Sequence, residues 1–126
     1  MSLGEKPTAS DTEVVSAQLG RPARDIVGIP ARCVCGNPLV VVTHPRLEDG
    51  TPFPTLYYLT QPAATQAASR LEAEGKMAEY QDRLAEDENA RQAYRLAHET
   101  FLATRAQLGA IEEIEGISAG GMPTRV

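Results

Sequence analysis

The apolar positions of this chain run at helical spacing near the start, turn β-like after Gly20, and return to helical spacing near residue 61. Val14, Val15, Ala17 and Leu19 follow a polar run at helical spacing. Ser10-Asp11-Thr12-Glu13 reads as a capping box in front of them, Gly20 as the stop, and Pro22 as a barrier to continuation. Two β-rich runs come next, Asp25–Ile29 and Leu39–Thr43. The second is apolar without alternation, which suits a strand buried on both faces. Cys33-Val34-Cys35-Gly36-Asn37-Pro38 lies between them and is a turn by composition. Thr55–Thr60 reads as a third strand, after a loop in which Asp49-Gly50 marks a tight turn and Pro52 and Pro54 stiffen the approach to Phe53. Connections this short favour antiparallel pairing.

From Pro62 the spacing is helical. Ala64, Ala67, Ala68 and Leu71 fall on one stripe, which Gly75 ends. Met77, Tyr80 and Leu84 define a second, short helix. A third starts at Asp87 or Glu88, buries Ala90, Ala93, Tyr94, Ala97, Phe101 and Leu108, and closes at Gly109. Glu72/Lys76, Glu79/Arg83, Asp87/Arg91 and Arg95/Glu99 are spaced for i,i+4 pairing on solvated faces. The expected fold is α+β: an N-terminal helix, a small, mostly antiparallel sheet of about three strands, and three C-terminal helices packed on it. Residues 1–9 read as a flexible tail and 10–126 as one domain.

The 126 residues suit one domain with a modest core, and 42% hydrophobic content marks it as globular. With no Trp, the core rests on aliphatic residues and a few Tyr and Phe. The net charge of −5 is concentrated C-terminally: residues 61–126 carry seven basic and eleven acidic side chains. That balance argues against a broad nucleic-acid or anionic-membrane surface, leaving only a local patch of Arg21, Arg24, Arg32 and Arg46. No apolar run approaches a membrane span and the start lacks a signal-peptide core, so the expected location is cytoplasmic.

The candidate chemistry centres on Cys33 and Cys35, the only thiols. In the cytosol a Cys-x-Cys pair is expected to be reduced. Its turn resembles half a zinc knuckle with a spacer one residue short. His44, beyond the following strand, is the candidate third ligand, and His98 is the remaining imidazole. The competing reading makes both cysteines small buried apolar residues of a hairpin turn. His98, between Tyr94 and Phe101 on the helix face, reads first as a packed side chain. Ser118, Gly120 and Gly121 could form an anion-binding nest but lack the lysine of a phosphate loop, so a plain glycine turn competes. No Ser/His/Asp nucleophile set is legible, which leaves the question of an enzyme open.

Several blocks together resemble the actinobacterial domain-of-unknown-function family 501. They are Ser16–Pro22, Arg32–Pro38, Asp49–Thr60, Ala68–Glu72, Ala93–Glu99 and Ser118–Pro123, with Gly-Thr-Pro-Phe-Pro-Thr and Ser-Ala-Gly-Gly-Met-Pro the most specific. The family is uncharacterised and implies no activity. Its members are typically encoded near enolase, a septum-formation initiator and an exopolyphosphatase, which implies a housekeeping, cytosolic setting. Relatives of this type continue past the position of Val126 with a Lys-Cys-Leu-His segment, and often have Cys or His where this chain has Gln61. The resemblance thus implies a chain truncated at its C-terminal end and, in fuller relatives, a zinc or iron site of which this chain keeps Cys33 and Cys35. Two expectations follow for function: a small metal-binding accessory protein, or a non-catalytic module that docks another protein. The third alternative is an enzyme of unknown class with His44, His98 and the Ser118–Gly121 loop lining a cleft.

Overall fold

The computed structural model describes residues 3–46, 48–51, 53 and 55–109. Its elements run α1 (Ala9–Leu19), β1 (Ile26–Arg32), β2 (Pro38–Thr43), β3 (Tyr57–Leu59), α2 (Pro62–Ala73), α3 (Lys76–Glu86) and α4 (Glu88–Ala106). The three strands form one antiparallel sheet in the order β1-β2-β3. This is the α+β architecture that the hydrophobic pattern predicts.

Helix α1 begins two residues earlier than expected. Its cap is Thr8, whose hydroxyl accepts the Asp11 N–H at 3.1 Å while the Asp11 carboxylate accepts the Thr8 N–H at 3.0 Å. The box that forms is Thr8–Asp11 in place of the expected Ser10–Glu13, and its Asp11 is also held by an arginine from β1 (described below). Gly20, in the left-handed region at φ 73°, ends the helix and returns its N–H to Ser16.

The segment before α1, expected as part of a loose tail, is attached to the sheet. Glu5 and Ile29 exchange both backbone hydrogen bonds, at 3.1 and 2.8 Å, along the outer edge of β1. Gly28 makes this approach feasible: a Cβ there would lie 2.0 Å from the Leu3 carbonyl oxygen. β1 extends three residues beyond its predicted end. Pro30 is tolerated because this is an edge strand and its register shifts between Gly28 and Ala31.

At the centre, adjacent residues Val41 and Val42 are both buried, so β2 is covered on both faces as its unbroken apolar run predicts. On one face Val15 of α1 packs with Ile29 and Val41, joined by Leu19, Ala23, Ile26 and Tyr58. On the other, Val42 pairs in register with Tyr57, and the Tyr57 ring meets Phe101 of α4 edge-on at 6.1 Å. Leu56, just before β3, is fully buried.

The C-terminal helices start and stop where Pro62, Gly75 and Asp87 predict. Gln61 caps α2 by accepting the Ala64 N–H at 2.7 Å, and Asp87 caps α4 by accepting from Asn89 and Ala90. That capping role takes Asp87 away from Arg91, which pairs with Glu88 one residue nearer; Lys76 likewise pairs with Glu79. Packing of these helices is thin. Neither α2 nor α3 contains a buried residue, and α4 contains only Arg105, whose guanidinium lies over the Phe101 ring. Leu71, Met77, Tyr80 and Leu96 remain exposed along the arm. No helix among the described residues is long and apolar enough to cross a membrane.

Candidate functional site

The two cysteines form the tip of the β1–β2 hairpin. The Cys33 N–H donates to the Asn37 carbonyl and the Gly36 N–H to the Cys33 carbonyl, both at 2.9 Å. Gly36 closes the turn at φ 91°, a conformation that favours glycine. The one-residue spacing in so tight a turn puts both sulfurs on the same side, with Cα atoms 5.2 Å apart, and the structure joins them in a disulfide. The expected state was the dithiol; the two differ by two electrons and two protons. The Cys35 N–H also donates to the Cys33 sulfur at 3.2 Å. Cys35 is exposed, Cys33 is half-buried, and Val34 between them is wholly exposed. The reading of both thiols as buried apolar filler therefore fails. Val34 and Cys35 are held out into solvent, with Cys33 half-buried beside them.

Arg32 anchors this tip. Its guanidinium makes a bidentate pair with Asp11 at 2.8 and 2.9 Å, a third bond to Glu5 at 2.9 Å, and a fourth to the Gly36 carbonyl at 2.9 Å. One side chain thereby ties the N-terminal segment, the start of α1 and the cysteine turn together. Asp11 is only 7% exposed. Its carboxyl is held well below the usual carboxylate range, first by the hydrogen bonds from Arg32 and then by the Thr8 N–H, against an opposing desolvation. The same bonds raise the already high pKa of Arg32, those to Asp11 more than the one to Glu5. Sequence reasoning placed Arg32 in a local basic patch for anions. It is instead saturated by two carboxylates of its own chain. Partners 21 and 27 residues away leave no local signature.

His44 does not join the cysteines. It is exposed and follows β2 at the end of the sheet opposite the hairpin tip. A strand rises about 3.3 Å per residue, so the two sites lie roughly 20 Å apart. Among the described residues no group of three or more His, Cys, Asp or Glu could hold a metal ion. His98 sits between α3 and α4 in a cleft with Leu84, Arg91, Tyr94 and Arg95, and its buried Nδ1 has no hydrogen-bond partner among the described residues. His44 does not line that cleft. Ser118, Gly120 and Gly121 lie outside the described residues.

The position of Gln61 carries more information. Its backbone N–H reaches the Leu39 carbonyl at 3.4 Å, so it belongs to the end of the sheet where β2 leaves the cysteine turn.

The sequence pattern of a protein family described as "Protein of unknown function (DUF501)" matches residues 29–126. The chain belongs to the DUF501 family. The match starts at Ile29, within β1, and takes in the cysteine turn, Arg32 and Gln61, whereas Asp11 and Glu5 precede it. No curated protein and no solved structure matches the chain.

Proposed function

We propose that this DUF501 chain is a small accessory protein that offers Cys33 and Cys35 as paired soft ligands for a metal ion, zinc or iron by the chemistry of the donors. One observation carries the reading: both sulfurs lie on the same side of an exposed hairpin tip. Reduction of the disulfide by a cellular dithiol adds two electrons and two protons and leaves two thiols. Metal binding then displaces the thiol protons, because the thiolate is the ligand. A cytosolic setting keeps such a pair in its dithiol form.

Two thiolates are half of a tetrahedral zinc sphere. The remaining donors come from water, a second chain or residues beyond those described. His44 is not among them, because it occupies the opposite end of the sheet. The placement of position 61 at the cysteine end agrees with a site that grows inward from the tip.

The experiment uses cobalt(II) as a spectroscopic probe on the reduced chain under anaerobic conditions. Binding through the pair gives a sulfur-to-cobalt charge-transfer band in the near ultraviolet, and the Cys33→Ser, Cys35→Ser variant loses it. A band of equal strength in that variant, or no band in the parent chain, refutes the reading.

A docking module is favoured by a different observation, the helical arm that leaves Leu71, Met77, Tyr80 and Leu96 exposed. In that reading a protein partner covers the arm. Tyr80→Glu with Leu96→Glu then abolishes its binding, while Cys33→Ser with Cys35→Ser leaves it intact.

A further inference from the structure

The described residues do not fill the core on the α1 side of the sheet. A cavity of about 130 Å³ lies between the C-terminal half of α1 and the sheet. Its floor is Val15 and Val41, both almost fully buried, and its walls include Leu19, Ile26 and Tyr58. At its rim stand Arg21 and Arg24, both exposed. Among the described residues no Asp or Glu lines it. This site is separate from the cysteine tip, which lies at the far end of β1.

The two arginines are conspicuous in a chain of net charge −5. Among the described residues neither guanidinium makes an ion pair or hydrogen bond, in contrast to those of Arg32 and Arg91. The carboxylate acting on Arg24 at longer range is Asp49, whose side chain is occupied by the Thr51 N–H at 2.9 Å. Next to Arg24 the chain turns sharply, and the Asp25 carboxylate accepts the Glu48 N–H at 3.2 Å. Asp25, the residue between Arg24 and β1, holds φ 59°, the one non-glycine in the left-handed region among the described residues. Such conformations cost free energy and persist where the surroundings over-determine them.

We propose that this cavity binds a small organic monoanion with a compact apolar body, a branched-chain or aryl carboxylate, whose carboxylate is gripped by Arg21 and Arg24. The chemistry divides cleanly. An apolar cavity near the size that admits one benzene ring takes a single ring or a branched four- to five-carbon chain. A guanidinium fork matches a carboxylate in shape and charge. Inorganic phosphate satisfies the arginines alone and leaves the apolar floor empty, so it binds more weakly. A neutral amide of the same shape fills the floor and forgoes the charge.

The test is an amide-resolved NMR titration of the whole chain with benzoate and isovalerate, and with benzamide and inorganic phosphate as controls. The expected result is saturable shifts at Ala23, Ile26 and Val41 with a carboxylate, and about tenfold weaker binding of benzamide. The Arg21→Gln, Arg24→Gln variant is expected to lose about the same factor for benzoate while keeping its urea midpoint, since both side chains are exposed. Three results overturn the proposal: no saturable shift with either carboxylate up to about 10 mM, equal affinity for benzamide or phosphate, or unchanged benzoate binding in the double arginine variant.

Discussion

Replacing Asp11 tests the physical link between the N-terminal helix and the cysteine turn. Asp11→Asn keeps the size of the side chain and an oxygen for the Thr8 N–H, and removes the charge that faces Arg32. The bonds at stake are the bidentate pair at 2.8 and 2.9 Å. Hydrogen bonds to charged partners contribute about 1.5–3 kcal/mol each when well shielded. The Arg32 side chain is 26% exposed, so solvent screening takes the expected loss to the low end, about 1.5 kcal/mol for the pair together. Asp11→Ala also breaks the capping box and costs about 1 kcal/mol more. With a urea slope of about 1.5 kcal/mol/M for a chain of this size, Asp11→Asn moves the midpoint down by about 1 M. Acid adds a second, independent signature. The folded-state pKa of Asp11 is depressed, so between that value and the ordinary 3.8 the unfolded chain binds more protons. The stabilisation is complete above 3.8 and is lost as the pH falls below it. Urea melts from about pH 6 to about pH 2 are therefore expected to show a steeper acid loss in the parent than in Asp11→Asn. Matching midpoints at neutral pH and matching acid slopes would refute the claim that Arg32 and Asp11 hold this end of the molecule.

Two further predictions follow from packing. Gly28→Ala places a Cβ against the Leu3 carbonyl and is expected to detach the N-terminal segment; hydrogen exchange at the Ile29 amide, which donates to Glu5, should then accelerate, and unchanged protection there contradicts the close approach. Leu56→Ala opens a hole beside β3 at a fully buried position and should cost about 2–4 kcal/mol in a urea melt, whereas a loss below about 0.5 kcal/mol would mean that this side chain is not part of the core.

The fold was legible where the signal is local. The unbroken run Val40-Val41-Val42 demanded a strand covered on both faces, and the period change at Pro62 with breaks at Gly75 and Asp87 marked three helices within a residue or two. What escaped depends on distance along the chain. The cap at Thr8 in place of Ser10 comes with a tie from Asp11 to Arg32, 21 residues further on. The attachment of the N-terminal segment rests on Gly28, where the space was needed by Leu3 rather than by any turn near it. The candidate site was legible only in part. Cys33 and Cys35 were evident from their spacing, but spacing does not report exposure, and both were as compatible with burial as with display. His44 was proposed from proximity in sequence, and a six-residue strand between it and the turn carries it to the other end of the sheet. The cavity under Arg21 and Arg24 had no sequence signature, since its walls are assembled from α1 and all three strands.

The central claim, that the hairpin tip presents its two sulfurs to a metal, is tested most directly by zinc K-edge X-ray absorption on the reduced, zinc-loaded chain. The expected spectrum contains two sulfur scatterers at about 2.3 Å with lighter atoms completing the shell. A shell fitted by nitrogen and oxygen alone, at about 2.0–2.1 Å, would contradict it.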